Sequence, residues 1–158
     1  MGGGGGNSQS LGDTSKLEKK AKDLLLEANR TRRNAFISFA YEDINEVTLL
    51  RGHAKNERSD IDFADWSVRE PFDSDRADYI RRKITERISQ ASVTVVYLSE
   101  DTPKSSWVKW EVEKSLELGK KVVATYAGDI APSAPDFVRS HDIKTVPWKE
   151  LGKTLKEL

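Results

Sequence analysis

Short apolar segments alternate along this chain with longer segments in which apolar residues recur at helical spacing. The short segments, rich in β-branched and bulky residues, predict strands at 34–40, 61–66, 93–98, 122–126 and 143–146. The longer segments predict helices at 43–54, 76–90, 105–118 and 148–158, with a loop and a short helix within 127–142. Gly119 follows the third of these helices at a position typical of a helix C-terminus.

The order of these elements indicates the fold. The segment 93–98 (VTVVYL) is almost wholly apolar, which is typical of a strand covered on both faces. Strands that alternate with helices predict a parallel sheet with helices on both sides. The length and the number of elements favour a flavodoxin-like, doubly wound α/β fold with five strands in the order 2-1-3-4-5. Ligands of such sheets bind beyond the carboxyl ends of strands 1 and 3, so we expect functional residues after Ala40, Trp66 and Leu98.

The N-terminal part differs in composition from the rest of the chain. Residues 1–12 include five consecutive glycines and predict a flexible tail. Residues 13–33 carry leucines and alanines at helical spacing, which predicts an amphipathic helix that packs on the domain or pairs with another copy of itself. Residues 34–158 then form one domain, a length typical of a single hydrophobic core.

Composition excludes several classes of protein. The 158 residues include 26 basic and 26 acidic side chains, and this balance argues against a nucleic-acid partner. Without cysteine and with two histidines, the sequence predicts no metal site. The lack of cysteine fits a reducing compartment, so we expect a cytoplasmic protein. No apolar run approaches the roughly 20 residues of a membrane span, and we expect neither membrane insertion nor a secretory signal.

A carboxylate and an indole share one helix face at the predicted ligand-binding edge. Trp107 and Glu111 are four residues apart near the start of a helix, so their side chains lie on the same face. Desolvation by the indole would raise the pKa of the carboxyl group, and a cationic ligand would lower it. The alternative is structural, with the tryptophan in the core and Glu111 paired with Lys114. Spacing alone leaves both interpretations open.

Three segments resemble TIR domains. Residues 36–43 (FISFAYED) resemble the first conserved box of those domains, and residues 84–99 resemble the helix and strand that follow it. Residues 106–111 (SWVKWE) are similar to the S-x-W-x-x-x-E segment that supplies the catalytic glutamate of TIR-family NAD hydrolases and cyclases. Residues 107–121 are most similar to the TIR-like domains of the bacterial Thoeris anti-phage group. The resemblance covers residues 34–126.

The resemblance implies a TIR-like domain that cleaves the nicotinamide–ribose bond of NAD, in prokaryotic anti-phage defence. The products would be nicotinamide and either ADP-ribose or a cyclic ADP-ribose signal, with NAD as substrate and no cofactor. Glu111 would be the catalytic residue, holding the ribose hydroxyls and stabilising an oxocarbenium-like transition state. Ala40 stands where many catalytic relatives carry a polar residue. The residues implied to bind the substrate are Phe39, Ala40, Tyr41, Asp43, Ser99 and Trp107.

The resemblance also implies an assembly. The loop that mediates TIR–TIR contacts would lie after strand 2 and contain Arg69, Pro71 and Phe72. We expect a homo-oligomer in which self-association completes the site, and a downstream effector that senses the nucleotide product.

Two other functions stay open at this point. The first is a TIR-like protein-interaction module without catalytic activity. The second is a receiver-like signalling domain of the same topology, in which Glu42 and Asp43 would bind magnesium. A receiver needs a phosphorylatable aspartate at the end of strand 3, where this chain has Ser99 and then Asp101 two residues later.

Overall fold

A computed structural model of the chain describes residues 14–24, 33–56, 61–64 and 72–158. The chain divides between Arg32 and Arg33 into two units. In the first unit, residues 14–24 form a helix, α1, within the segment where the amphipathic helix is predicted. Residues 13 and 25–32 of that predicted helix and the predicted tail at 1–12 lie outside the described residues. Arg33, the last residue of the predicted helix, is instead the first residue of the first strand.

The second unit contains one parallel sheet of five strands. The strands are β1 (Arg33–Ser38), β2 (Ile61–Ala64), β3 (Val93–Tyr97), β4 (Lys121–Tyr126) and β5 (Lys144–Pro147). They are arranged as β2-β1-β3-β4-β5, and every neighbouring pair is parallel. This is the predicted doubly wound order. Its switch point lies between β1 and β3, where Ser38 is in register with Val96.

Helices cover both faces of the sheet. They are α2 (Ile44–Asn56), α3 (Ala77–Gln90), α4 (Ser106–Glu117), α5 (Asp136–Arg139) and α6 (Trp148–Lys156). Among the described residues, no helix is both long and apolar enough to cross a membrane.

The side chains of each strand alternate between the two faces, and this alternation sorts the core. On one face, Phe36 packs against Ile80, Ile84 and Ile88 of α3, together with Trp107 of α4. Farther along this face, Val96 and Leu98 pack against Val108 and Val112 of α4. On the other face, Ile37 and Tyr97 pack against Val47 of α2, and Val95 and Val123 pack against Leu151 and Leu155 of α6. Fully burying a side chain such as Ile84 contributes about 1.5–3 kcal/mol, so α3 is held mainly by its isoleucine stripe.

The structure corrects some boundaries near the switch point. β1 ends at Ser38, two residues before the predicted Ala40, and Tyr41–Asp43 form a 3-10 turn. The backbone N–H of Asp43 donates to the carbonyl of Ala40 at 2.9 Å, so α2 begins at Ile44, one residue later than predicted.

Local chemistry fixes both ends of α4. Its first turn is capped by Ser105, whose hydroxyl accepts from the backbone N–H of Val108 at 3.2 Å. Gly119 follows it with φ of +73°, a conformation that a residue with a Cβ atom rarely adopts, and the predicted helix end is confirmed. The position of α4 along the sheet matters because this helix carries Glu111.

Candidate functional site

Glu111 points from α4 toward the sheet rather than toward solvent. Its side chain is 4% exposed, and its Oε1 accepts a hydrogen bond from the Ser38 hydroxyl at 3.3 Å. Ser38 is the last residue of β1 and is fully buried. Because Phe36 and Ser38 are two residues apart on one strand, both face the side of the sheet that α3 and α4 cover. The carboxyl group therefore lies at the carboxyl end of β1, at the switch point.

Burial dominates the electrostatics of this carboxyl group. Desolvation raises the pKa of Glu111 to about 8, and the hydrogen bond from Ser38 partly opposes that rise. Lys114 was the possible ion-pair partner of Glu111. It instead forms an ion pair with Glu117 at 3.0 Å. In the free protein at neutral pH, Glu111 therefore holds a proton, and a cationic ligand beside it would favour the carboxylate.

A small network of buried hydroxyl groups fixes the position of Glu111 relative to β3. The Ser115 hydroxyl donates to the carbonyl of Glu111 at 2.7 Å and lies 2.8 Å from the hydroxyl of Thr94 on β3. Ser115 and Thr94 are both fully buried. A buried hydroxyl that lost its partner would cost about 1–3 kcal/mol, so this network holds α4 in one position relative to β3.

Aromatic rings surround the helix turn that precedes Glu111. Trp107 is 9% exposed and makes edge contacts with Phe72 at 4.9 Å and with Trp110 at 6.1 Å between ring centroids. Arg81 of α3 stacks over Phe72 at 4.3 Å and donates to the Phe72 carbonyl at 2.8 Å. Trp107 therefore packs in the core, as expected if its role is structural. Glu111, however, does not form the ion pair with Lys114 that a purely structural role would predict.

A second cluster joins the loops that follow β1 and β3. The hydroxyl of Ser99 donates to Oδ2 of Asp43 at 2.5 Å and accepts from the backbone N–H of Asp101 at 3.0 Å. Burial raises the pKa of Asp43; the bond from Ser99 opposes this, and the charges of Asp101, Glu46 and Glu42 add to it. The structure thus brings Asp43 and Ser99 together, and it ties the two loops at the switch point to each other.

Other predicted site residues lie elsewhere. Phe39 packs with Ile37, Val47 and Tyr97 against α2, on the face of the sheet opposite Glu111. Phe39 thus continues the side of the sheet on which Ile37 lies, whereas Ser38 faces α4 and Glu111. Ala40 is fully buried, and Tyr41 is 44% exposed on the 3-10 turn.

The predicted interaction loop is described only at its end. Phe72 is partly buried beneath Arg81 and against Trp107. Arg69 and Pro71 lie outside the described residues.

Sequence reasoning missed four residues that hold the site together: Ser38, Arg81, Thr94 and Ser115. A signal was present for two of them, because Ser38 and Thr94 are hydroxyl residues inside the apolar stretches at 35–40 and 93–98. Arg81 and Ser115 look like ordinary helix residues in the sequence, and no comparable signal marks them. Within the described part of the chain, no group of three or more His, Cys, Asp or Glu side chains is arranged to hold a metal ion.

Comparison with known proteins assigns the family. The family model for the Thoeris protein ThsB, TIR-like domain, matches residues 36–129, which include the end of β1, all of β2, β3 and β4, and Glu111. This chain belongs to the ThsB TIR-like domain family. The match agrees with the resemblance seen in the sequence.

Individual ThsB and TIR relatives are more distant. The chain is 29% identical over 98 residues to a Bacillus cereus (strain MSX-D12) protein named "Putative cyclic ADP-D-ribose synthase ThsB1". That match covers 60% of this ThsB-family chain and 51% of the relative, so it spans about half of the relative's length. The TIR domain of the Toll-related receptor TRR-2 from Hydra magnipapillata is similar in structure, with a TM-score of 0.54 and 18% identity. That comparison covers 77% of this chain and 97% of the receptor domain, and it supports the TIR fold.

Proposed function

We propose that this ThsB-family protein cleaves the bond between nicotinamide and ribose in NAD, with Glu111 as the catalytic residue. The observation that carries the proposal is a carboxyl group, 4% exposed, at the switch point of a doubly wound sheet, with a pKa raised to about 8. The B. cereus relative named as a cyclic ADP-D-ribose synthase gives the substrate class.

The proposed chemistry fits a desolvated carboxylate. When the bond between the ribose C1′ and the nicotinamide nitrogen breaks, its electron pair leaves with nicotinamide, which becomes neutral. Positive charge then develops on the ribose ring. A carboxylate in a low-dielectric site stabilises such a cation far better than one in water. Water captures the cation to give ADP-ribose and a proton, and a nitrogen of the substrate's own adenine captures it to give a cyclic product.

The buried position of Glu111 also explains how the site would be switched on by its substrate. In the free protein, burial keeps the carboxyl group protonated at neutral pH. The nicotinamide ring of NAD carries a positive charge, and that charge next to the carboxyl group favours its ionised form. We therefore expect the binding of NAD to release a proton as Glu111 ionises.

Assembly and signalling belong to the same proposal. Self-association through the loop that contains Phe72 would bring a second copy close to Trp107 and Arg81, which both contact Phe72. The product would act on a downstream effector in anti-phage defence, inside the cell. These roles are supported by membership of the ThsB family.

The test is nicotinamide release from NAD. The full chain is incubated with NAD over a range of protein concentrations, with and without a crowding agent, and nicotinamide and ribosyl products are separated by liquid chromatography. We expect release that rises more than linearly with protein concentration and that Glu111→Gln abolishes. Glu113→Gln, at an exposed position on the same helix, is the matched control and should retain activity.

Two outcomes would contradict the proposal. Equal activity of wild type and Glu111→Gln would exclude Glu111 as the catalytic residue. Absence of nicotinamide release from wild type under every assembly condition would exclude the enzyme and favour the interaction module.

A further inference from the structure

A cavity of about 450 Å³ lies at the N-terminal end of α4, between that helix and the segment that leads into α5. Its lining includes Lys104, Lys109, Ser133, Pro135, Phe137 and Arg139. Small-molecule sites in proteins typically measure about 300–1,000 Å³, so the cavity is large enough for a ligand of nucleotide size. The ThsB family match ends at residue 129, so the α5 side of this cavity lies beyond it.

The cavity is positively charged. Three cationic side chains and one acidic side chain line it. Arg139 forms an ion pair with Asp136, whereas Lys104 and Lys109 form no ion pair within the part of the chain that the structure describes. The cavity therefore keeps two cations available for an anion. The positive end of the α4 dipole adds to the same field.

The rest of the lining suits a ligand that is more than a bare anion. Pro135 is buried, Phe137 is partly buried, and both present apolar surface to the cavity. The hydroxyls of Ser106 and Ser133 offer hydrogen bonds beside the lysines. Phosphate groups on the lysines and a ring against Phe137 would use both parts of this lining.

The cavity and Glu111 lie on opposite sides of α4. With about 3.6 residues per turn, Ser106 and Lys109 project from one side of the helix, and Trp107 and Glu111 project from the other. The contacts agree with this geometry, because Trp107 packs with Phe36 and α3 whereas the cavity adjoins α5. A ligand in the cavity therefore does not occupy the space beside Glu111.

We propose that this cavity binds a phosphorylated small molecule of the nucleoside phosphate class, at a site separate from Glu111. The phosphate groups are held by Lys104 and Lys109, and the base or sugar lies against Phe137 and Pro135. The proposal does not depend on the cleavage of NAD.

The experiment is a nuclear magnetic resonance titration of the ¹⁵N-labelled full chain at low salt with ADP, inorganic pyrophosphate or adenosine. Each probe is raised to about 5 mM, above the 1 mM dissociation constant typical of a weak site. We expect ADP and pyrophosphate to shift the amide signals of residues 103–109 and 133–139, and adenosine to shift them far less. Tighter binding of ADP than of pyrophosphate would support the role of Phe137.

Charge reversal gives the decisive comparison. Lys104→Glu with Lys109→Glu should weaken ADP binding at these amides at least tenfold, since two attractive charges become repulsive. The matched control, Lys144→Glu with Lys153→Glu, changes two exposed lysines outside the cavity lining and gives the same net charge. It should weaken the binding much less than the first pair does, because neither Lys144 nor Lys153 lines the cavity.

Three results would overturn the proposal. They are the absence of shifts at residues 103–109 and 133–139 with every probe, equal shifts with adenosine and ADP, and equal weakening by the two double variants. Glu111→Gln should leave these shifts unchanged. If it removes them, the ligand occupies the Glu111 site and the separate site does not exist. Failure of nicotinamide release, by contrast, leaves this titration unaffected.

Discussion

Replacing Glu111 by glutamine should make the folded protein more stable at neutral and alkaline pH while abolishing its proposed activity. Glutamine has nearly the same shape as a protonated glutamate, and its amide oxygen can still accept the hydrogen bond from Ser38. It differs in that it never ionises. The variant therefore removes one property of the wild type: the loss of folding stability that arises above the ordinary pKa because the carboxyl group is buried.

The magnitude follows from the shift in pKa. In the unfolded chain the carboxyl group ionises around its ordinary pKa of 4.5, and in the folded protein around pH 8. A pKa that is raised on folding stabilises the protein below pH 4.5, and this stabilisation is lost as the pH rises through about 8. At roughly 1.4 kcal/mol per pH unit, wild type should lose about 3 to 4 kcal/mol relative to Glu111→Gln between pH 5 and pH 8. Such a difference is large beside a typical domain stability of about 5–15 kcal/mol.

The assay is urea denaturation of both proteins at pH 5 and pH 8, followed by far-ultraviolet circular dichroism. The difference between the two proteins at each pH is compared, because every other titrating group contributes equally to both. Glu113→Gln, on the exposed side of α4, should leave the urea midpoint the same as in wild type at both values of pH.

The reasoning would be refuted by a stability difference between wild type and Glu111→Gln that is the same at pH 5 and pH 8. A variant that became less stable than wild type as the pH rose would refute it more strongly. Either result would mean that Glu111 reaches water or a cation in solution, and the proposed desolvation of the catalytic carboxylate would be lost with it.

Three other changes test the contacts around the site. In wild type, kcat/KM for NAD should rise with pH and level off above about 8. Ser38→Ala removes the hydrogen bond that lowers the pKa of Glu111, so the midpoint of this pH profile should move to higher pH. A midpoint at the same pH as in wild type would exclude the hydrogen bond. Ser99→Ala removes the hydroxyl that binds Asp43 and should cost about 1–3 kcal/mol in urea denaturation, whereas unchanged stability would contradict the tie between the two loops. Gly119→Ala places a Cβ atom in open space but at φ of +73°, so thermal denaturation should show a loss of about 1 kcal/mol, and no loss would mean that α4 ends differently.

Apolar periodicity was sufficient to predict the fold. The isoleucines at 80, 84 and 88 mark the buried face of α3, and the apolar run at 93–97 marks the central strand β3. These patterns are strong because burial of one face leaves few alternatives for the register of a strand or the rotation of a helix. The end of β1 was less predictable, since the turn at Tyr41–Asp43 is set by a single backbone hydrogen bond.

The candidate site was predictable only in part. Spacing placed Glu111 and Trp107 on one helix face, and the topology of the sheet selected the loops that hold Asp43 and Ser99. The resemblance to TIR domains, rather than either pattern, gave these residues their predicted roles. Phe39 was predicted to bind the substrate without considering which face of the sheet it lies on. Side chains alternate along the chain here, so Phe39 lies on the opposite face from Ser38. The partners of Glu111 depend on how closely α4 approaches β1 and β3, and that distance follows from packing rather than from any local pattern.

The all-parallel sheet has a consequence for how the chain reaches its native state during synthesis. Of the five strands β1 is made first, yet Ala35 finds its partner Val93 on β3 only after about half of the domain has been made. Until then β1 can pair only with β2, and its other edge is open to aggregation or to chaperones. The strand that supplies Ser38 to the site is thus made early but paired on both edges only later. A truncated product that ends before β3 would leave one edge of β1 without a partner strand.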